Sequence, residues 1–208
     1  MKQTAQVAEQ LIDDIADALA QQGFIQLQNF LPQAIANSLL VEAKSLAKVA
    51  FKAAGIGRSS SAQMNTQIRS DTTLWLNGDS SSQQLYLDWM RQLKTGLNRR
   101  LFMGLNEFEC HYSHYSKGDF YQRHLDAFKS NVSTTSSNRV LSSVYYLNQN
   151  WDNNDGGELL IYQDQQTSPL LKVSPVFNSC VMFLSDTFPH EVLASQCDRF
   201  SIAGWYRS

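Results

Sequence analysis

The stretch FECHYSHYSKG, residues 108–118, alternates apolar and polar side chains with a period close to two. This period is typical of a β-strand with one buried face. Parts of the same pattern recur in RVLSSVYYLN (139–148), GELLIYQD (157–164), PLLKVSP (169–175), SCVMFLSD (179–186) and RFSIAGWYRS (199–208). Short strands separated by turn signals such as DNNDGG (152–157) predict an all-β sandwich or barrel in the second half of the chain.

The first half of the chain has helical periodicity instead. Apolar residues recur at helical spacing before a stop at Gly23, and further helices are predicted from Pro32 to Gly55 and over 82–102. GFIQLQNF (23–30) is predicted to be a strand, and IRSDTTLWLNG (68–78) a strand pair or an extended hairpin. We therefore expect an α+β fold in which N-terminal helices pack on the outside of a C-terminal double-sheet barrel.

Length and composition favour a single domain over 1–208, with 1–105 as mainly helical support carrying a hairpin loop and 106–208 as the core. The net charge of −2 gives no electrostatic reason to expect nucleic acid or an anionic membrane as partner. The polar, acidic first 23 residues do not have the pattern of a secretory signal, and no apolar run approaches the roughly 20 residues that cross a bilayer. The three cysteines are odd in number and have no CxxC spacing, which favours a reducing, cytoplasmic setting.

Two histidines and one aspartate suggest a metal site. In a strand, His124 and Asp126 would face the same side and offer a nitrogen and an oxygen to one cation. The triplet alone is weak, since a surface histidine beside a solvated aspartate gives the same letters. With His190 it forms the two-histidine, one-carboxylate set of non-heme Fe(II) oxygenases, which leaves coordination positions open. His111 and His114 are three residues apart, do not share a strand face, and are interpreted as non-ligands.

Arg199 begins an apolar strand, so we expect it to be buried and to need an anion. A structural ion pair with an Asp or Glu would satisfy it. Alternatively, its guanidinium would hold one carboxylate of a keto-diacid such as 2-oxoglutarate, whose other end chelates iron.

These residues, with GGELLIY (156–162) between them, resemble the Fe(II)/2-oxoglutarate-dependent dioxygenases. More closely, the chain resembles the prolyl 4-hydroxylases of the hypoxia-inducible-factor type and their bacterial relatives, through IRSDTTLWLNG, YSKGDFYQRHLD, SVYYLNQNWDNNDGGELLIY, FLSDTFPHEV and RFSIAGWY. The resemblance implies a double-stranded β-helix (jelly-roll) core. It also implies Fe(II), 2-oxoglutarate and O2 as cofactor and co-substrates, with ascorbate as a reductant.

The resemblance also implies residue roles. Iron would be bound by His124, Asp126 and His190, and 2-oxoglutarate by Arg199 and Tyr146, with Tyr115 nearby. The pocket for the target proline would be lined by Tyr121, Arg139 and Trp205. Arg69 and Asp71 would lie in a loop that closes over a peptide. Family members often carry a hydroxyl residue four positions after the arginine, where this chain has Ala203. Ser201, two positions after Arg199, is a candidate to compensate.

Other interpretations remain open at this stage. Tyr146 and Trp205 would alternatively be aromatic residues of the core. Arg69 and Asp71 would alternatively form an ordinary ion pair at the surface. Gly156 and Gly157 would alternatively form a tight turn that contacts no ligand. Polar segments 56–67 and 128–138 are predicted to be mobile loops, and the loops at about 55–71 and 128–138 are expected to flank the pocket. Such loops suit a proline in a protein loop, with a translation elongation factor as a candidate substrate by analogy. Rival functions are hydroxylation of a free amino acid or small molecule, non-catalytic binding by a jelly roll, and a metal-dependent hydrolase or isomerase.

Overall fold

A computed structural model describes residues 5–47, 50–54, 67–127 and 139–208. The predicted loop at 128–138 lies outside these ranges, as does all of the predicted loop at 56–67 except Gln67. The described part contains three helices: α1 (Glu9–Gln22), α2 (Gln33–Leu46) and α3 (Ser81–Leu101). None of the three combines the length and apolarity that crossing a bilayer requires.

The ends of α1 and α3 follow local signals. Gly23 ends α1 in the left-handed conformation, at φ 81°, and its N–H donates to carbonyls of the last turn. Ser80 caps α3 because its hydroxyl accepts a hydrogen bond from the Gln83 N–H. The predicted stop at Gly23 is confirmed, and α3 differs by one residue at each end from the helix predicted over 82–102.

The predicted extension of the second helix to Gly55 is wrong. Helix α2 ends at Leu46, and Lys52–Ala53 form a short strand that pairs with Thr72 and Thr73. The ring of Phe51 packs against that of Tyr112, at 6.2 Å between centroids. Pairing and packing with distant residues therefore override the local helical periodicity at this end of the segment.

Strands in the described ranges form two antiparallel sheets. The strands are β1 (Phe24–Leu27), β2 (Lys52–Ala53), β3 (Thr72–Trp75), β4 (Glu107–Tyr115), β5 (Tyr121–His124), β6 (Arg139–Tyr146), β7 (Leu159–Ile161), β8 (Leu171–Val173), β9 (Cys180–Leu184), β10 (His190–Val192) and β11 (Arg199–Arg207). The major sheet has the order β1-β9-β6-β11-β4-β3-β2, and the minor sheet β5-β10-β7-β8. The predicted strand at 23–30 is confirmed as β1, on the edge of the major sheet.

The segment 68–78 is not a hairpin within itself. Only Thr72–Trp75 is a strand, and it pairs with β4 on one side and β2 on the other. Residues 24–27 and 72–75 thus join the same sheet as strands from the second half of the chain, because their backbone groups find partners there rather than in neighbouring sequence.

The two faces of the major sheet pack against different layers. Tyr112, Ile202 and Tyr206 belong to a core shared with the three helices. Tyr146 and Val181, whose side chains point the other way, pack in a second core with residues of the minor sheet. The expected arrangement, a double-sheet barrel with helices on its outside, is confirmed, and the space between the sheets holds the candidate site.

Candidate active site

Three potential metal ligands converge between the sheets. His124 ends β5 and His190 begins β10, and these two residues lie opposite each other in the paired strands. The Nε2 atom of His124 lies 3.7 Å from Oδ1 of Asp126, and that of His190 lies 3.5 Å from Oδ2. One ligand atom from each side chain lies within 4.8 Å of the others, and the described residues contain no second such group of His, Cys, Asp and Glu. His111 and His114 are not part of this group.

Asp126 reaches this position in an unexpected way. Strand β5 ends at His124, so the expectation that His124 and Asp126 share one strand face is wrong. Asp126 lies in a bend beyond the strand. Ser142 of β6 donates a hydrogen bond of 2.7 Å to its Oδ2, and the N–H of Ala127 donates to the carbonyl of Ser185. The major sheet, rather than β5, therefore holds this carboxylate beside the histidines.

Both imidazoles are oriented by the same local contact. The Nδ1 atom of His124 lies 2.8 Å from the carbonyl oxygen of Gln122, and that of His190 lies 3.0 Å from the carbonyl oxygen of Phe188. Because a carbonyl only accepts, each Nδ1 must carry the proton and donate it. Each Nε2 then keeps its lone pair, which is the atom a metal ion requires.

The electrostatics favour binding of a cation. Burial, together with the neighbouring His190, lowers the pKa of His124, so its imidazole stays neutral. Burial raises the pKa of Asp126, but nearby histidines, Arg139 and the Ser142 hydrogen bond outweigh it and lower the pKa overall. An ionised carboxylate beside a neutral imidazole is the protonation state in which these side chains coordinate a divalent ion. The donor set therefore fits Fe(II).

Arg199 is a buried cation without an acidic partner in the described part of the chain. Only 1 % of its surface is exposed. Its Nε donates to the carbonyl of Gly157 at 2.8 Å and its Nη1 to the hydroxyl of Ser201 at 3.2 Å. Its Nη2 has no hydrogen-bond partner among the described residues. The structural ion pair considered above therefore finds no support in these residues.

Tyr146 supplies a second unpartnered polar group beside Arg199. Its buried hydroxyl has no hydrogen-bond partner among the residues that the structure describes. The guanidinium carbon of Arg199 lies 5.3 Å from the Tyr146 ring centre and 4.7 Å from that of Tyr115. Burial raises the pKa of both phenols against the opposing effect of the Arg199 charge, so both keep their protons. An unpartnered guanidinium N–H beside an unpartnered phenol O–H complements a carboxylate, which fits 2-oxoglutarate.

Gly157 has a larger part in the site than the sequence indicated. Its carbonyl holds Arg199, and at φ +64° its Cα lies so close that an added Cβ would be 2.9 Å from Cδ of Arg199. The interpretation of residues 156–157 as only a tight turn therefore missed this contact. The available signal was the position of two adjacent glycines directly before an apolar strand, where the backbone can approach a neighbour closely.

Tyr121, Arg69 and Asp71 form one wall next to the histidines. The ring of Tyr121 stacks on that of His124 with 3.7 Å between centroids, and the guanidinium of Arg69 lies 4.7 Å from the Tyr121 ring centre. Arg69 binds Asp71 through two hydrogen bonds, of 2.5 and 3.0 Å. The Asp71 side chain is fully buried, so the pair is not the exposed surface pair considered above.

Arg139 and Trp205 lie on another side of the cluster. The guanidinium of Arg139 lies 3.6 Å from the Trp205 ring centre, and its Nη1 is 3.9 Å from Oδ1 of Asp126. Its Nε donates to Glu109 at 3.1 Å. Glu109 was not among the residues that the sequence suggested. The structure thus brings Arg139 and Trp205 close to Asp126, although 66 residues or more separate Trp205 from the aspartate and arginine in sequence.

Comparison with known proteins agrees with this geometry. Residues 110–207 match the family model of the 2OG-Fe(II) oxygenase superfamily. The crystal structure of a Pseudomonas putida prolyl-4-hydroxylase is 34% identical, covers 95% of this chain and 100% of that chain, and has a TM-score of 0.84. A Trichoplax adhaerens prolyl hydroxylase, solved with a hypoxia-inducible-factor peptide fragment, is 27% identical over 96% of this chain and 90% of that chain, with a TM-score of 0.81.

One curated relative extends over almost the same length. The human prolyl hydroxylase EGLN3 is 25% identical over 94% of this chain and 82% of that protein. The structural neighbours are 2OG oxygenases, whose core is a jelly roll, so the predicted jelly-roll core is confirmed. The chain therefore belongs to the 2OG-Fe(II) oxygenase superfamily and is a dioxygenase that uses Fe(II), 2-oxoglutarate and oxygen.

Proposed function

We propose that this dioxygenase hydroxylates a prolyl residue in a protein or peptide. The support is that similar proteins over nearly the whole chain are named prolyl hydroxylases, one of them solved with a peptide. A translation elongation factor is the first protein substrate to test. A reducing, cytoplasmic setting fits the three free cysteines, two of which are buried.

In this proposal, Nε2 of His124, Nε2 of His190 and one oxygen of Asp126 bind the iron. When bound, Fe(II) with 2-oxoglutarate and oxygen supplies the oxidising chemistry that converts a C–H bond into C–OH, while 2-oxoglutarate becomes succinate and carbon dioxide. The chain supplies orientation and protection from water. Phe183 packs edge-on against His190 at 4.7 Å between ring centroids, so apolar surface backs this ligand.

The unpartnered donors next to Arg199 are the observation that carries the co-substrate assignment. Leaving a buried guanidinium N–H and a buried phenol O–H unpaired costs about 1–3 kcal/mol each. A carboxylate of 2-oxoglutarate would accept from both Arg199 and Tyr146. Ser201, which accepts from Nη1, would fix the guanidinium plane, and Tyr115 would cover its face. Ala203 brings no hydroxyl, so Ser201 is the hydroxyl-bearing residue of β11 nearest to Arg199.

The substrate would lie against the aromatic and charged walls. The Trp205 ring lies beside the Arg139 guanidinium, and the Tyr121 ring stacks on His124 with the Arg69 guanidinium 4.7 Å from its centre. Both rings would border the pyrrolidine next to the metal ligands. The buried Asp71 fixes Arg69, so the Tyr121 wall is rigid. We propose that both rings and both guanidinium groups contact the prolyl segment, while the buried Asp71 acts by holding Arg69.

Product analysis tests this function. Purified protein with Fe(II), 2-oxoglutarate, oxygen and ascorbate should form succinate, and mass spectrometry of a treated protein extract should find one added oxygen atom on particular prolines. His124→Ala and Asp126→Ala should abolish both signals. Hydroxylation of a free amino acid but of no protein would instead favour the small-molecule alternative. Complete absence of succinate with every substrate would favour a non-catalytic binding protein.

The co-substrate site has its own test. Arg199→Ala should raise the KM for 2-oxoglutarate roughly 10- to 100-fold, since charged hydrogen bonds contribute about 1.5–3 kcal/mol and about 1.4 kcal/mol is tenfold. Arg91→Ala, which removes an exposed arginine of α3, is the control and should leave that KM unchanged. An unchanged KM in Arg199→Ala would contradict the assignment.

A further inference from the structure

Asp126 is held differently from the other two candidate ligands. His124 and His190 lie in paired strands, so hydrogen bonds of the minor sheet fix their backbone. Asp126 lies in a bend after β5 and depends on contacts with the major sheet. Those contacts come from two serines, Ser142 and Ser185.

The two serines form a directed chain of hydrogen bonds. The Ser142 hydroxyl is 2.7 Å from Oδ2 of Asp126 and 2.8 Å from the hydroxyl of Ser185. A carboxylate only accepts and a hydroxyl has one proton, so Ser142 donates to Asp126 and Ser185 must donate to Ser142. Ser142 is 1 % exposed and Ser185 is fully buried, so bulk water does not compete for these bonds.

The backbone around Ser185 fixes the same arrangement. Its N–H donates to the carbonyl of Val140, two residues before Ser142 in β6, and its carbonyl accepts from the N–H of Ala127. Ser142 itself lies in the middle of the major sheet, paired with Trp205 on one side and Phe183 on the other. The chain therefore holds the bend of Asp126 at two points, one through a side chain and one through the backbone.

The two carboxylate oxygens are thereby made unequal. Oδ2 accepts a short, charge-assisted hydrogen bond, a type roughly twice as strong as a neutral one. Oδ1 lies 3.7 Å from His124 Nε2 and 3.9 Å from Arg139 Nη1, both beyond hydrogen-bond distance. Oδ2 lies 3.5 Å from His190 Nε2, so both oxygens face the histidines and the hydrogen bond from Ser142 is what distinguishes them. An oxygen that is already engaged by a donor has less electron density to offer a metal ion than one that is not.

We propose that Ser142, supported by Ser185, is a positioning residue that makes Asp126 bind the metal through a single oxygen, Oδ1. The inference rests on the metal site of the proposed function. Two histidines and one carboxylate oxygen would hold the ion and leave coordination positions open for co-substrate and oxygen. A carboxylate binding through both oxygens would take one of those positions. The Ser142 hydrogen bond would keep that position open.

The test uses Co²⁺ as a probe in protein freed of other metals, because the visible absorption of Co²⁺ depends on its coordination number. Ser142→Ala should change the spectrum of bound Co²⁺ and weaken 2-oxoglutarate binding to the Co²⁺ protein about 10-fold, within the usual 10- to 100-fold effect of residues that orient metal ligands. Ser142→Thr keeps the hydroxyl and should restore both. Ser185→Ala leaves the donor to Asp126 in place and should give a smaller change of the same kind.

The neighbouring Ser143 gives a matched control. It is equally buried on β6 but points to the other face, where its hydroxyl donates to the carbonyl of Gly204. Ser143→Ala should therefore leave the Co²⁺ spectrum and 2-oxoglutarate affinity unchanged, although its thermal stability falls as that of Ser142→Ala does.

Asp126→Ala separates failure of this inference from failure of the metal site. If Asp126→Ala weakens Co²⁺ binding while Ser142→Ala and Ser185→Ala both match the wild type in spectrum and 2-oxoglutarate affinity, the serine assignment is overturned and the metal site stands. If Asp126→Ala binds Co²⁺ as tightly as the wild type, the metal site itself is wrong.

Discussion

At the scale of single residues, the four histidines differ in what surrounds their rings. His124 and His190 each donate to a carbonyl two residues earlier, which frees Nε2 for a metal. His114 lies 3.0 Å from the Asp198 carboxylate at the surface. His111 is 3 % exposed, with the Trp75 and Trp205 rings at 5.2 and 5.3 Å. The residue type alone does not distinguish these roles, because burial and partners set the protonation of each ring.

His111 should make the folded state sensitive to acid. Burial, with a smaller contribution from the Arg69 charge, lowers its pKa to about 3 in the folded protein, against about 6.5 when unfolded. Between these values the unfolded chain binds a proton that the folded chain does not, so stability falls as pH decreases below about 6.5. The slope from this group approaches about 1.4 kcal/mol per pH unit.

The variant His111→Phe removes this titration and keeps a ring between the two tryptophans. Urea unfolding of the variant and the wild type at pH 7 and pH 5 measures the difference. The loss of unfolding free energy between the two pH values should be smaller in the variant by about 2 kcal/mol. Equal losses in both proteins would mean that His111 takes up a proton in the folded state.

At the scale of elements, the position of the Arg199 side chain depends on a contact between two loops. The turn before β7 approaches the segment before β11, where the Gly157 N–H donates to the carbonyl of Ala194 and Gln196 N–H to that of Asp155. The Gly157 carbonyl then reaches Nε of Arg199. Since Arg199 begins β11 and Gly157 precedes β7, this contact links the two sheets at the candidate co-substrate site.

Gly157→Ala should disturb that link specifically. The new Cβ would lie 2.9 Å from Cδ of Arg199, with Ser195 and Trp151 also in contact, so the arginine has little room to move. The left-handed φ adds about 1–2 kcal/mol of strain and the overpacking about 1–3 kcal/mol. We expect a several-fold higher KM for 2-oxoglutarate in the succinate assay, together with lower stability.

Gly104→Ala is the control for backbone strain. Gly104 has nearly the same φ, +65°, but a Cβ there would meet nothing within 4 Å. The Gly104→Ala variant should be destabilised only by the strain of the left-handed φ, and it should keep the wild-type KM for 2-oxoglutarate. If the two alanine variants behave alike in KM, close approach at Gly157 does not matter for the co-substrate.

At the scale of the whole molecule, two cores meet at the major sheet. One core joins the sheet to the helices, for example through the Tyr206 hydroxyl, which donates to the carbonyl of Met90 at 2.9 Å. The other lies between the sheets and borders the candidate site. We therefore expect packing changes within the helical layer to alter stability with little effect on the site.

Gly96→Ala tests this separation. A Cβ at Gly96 of α3 would lie 2.7 Å from two atoms of the Ile12 side chain in α1. The clash should outweigh the gain in helix propensity of about 1 kcal/mol and destabilise the protein by about 1–2 kcal/mol. Turnover of the folded enzyme should stay unchanged.

In the Ile12→Ala variant, the effect of Gly96→Ala on stability should change sign. Ile12→Ala should cost about 2–5 kcal/mol and open space beside Gly96. Adding Gly96→Ala to that variant should then stabilise it, because the new methyl group no longer clashes. Thermal or urea unfolding of the four proteins measures the coupling. Additive effects would rule out direct contact between the two positions.

Several parts of the site were beyond prediction because they depend on contacts between residues distant in sequence. Ser142 and Ser185 are 43 residues apart and meet only when β6 and β9 pair. A serine within or just after a strand carries no local signal for such contacts. Likewise, α2 ends at Leu46 because the residues beyond it pair as a strand with β3. Helical periodicity gives no indication of that pairing.

The sequence by itself determined the class of fold and the candidate chemistry. Period-two segments and the Gly23 stop separate strands from helices, and two histidines, an aspartate and an arginine in an apolar strand point to iron with an acidic co-substrate. Only the tertiary structure decided that Asp126 is held from another sheet and that Arg199 and Tyr146 keep unpaired donors in the described residues. The physical reason is that periodicity records which face a side chain occupies, whereas hydrogen-bond satisfaction depends on every neighbour that folding brings near.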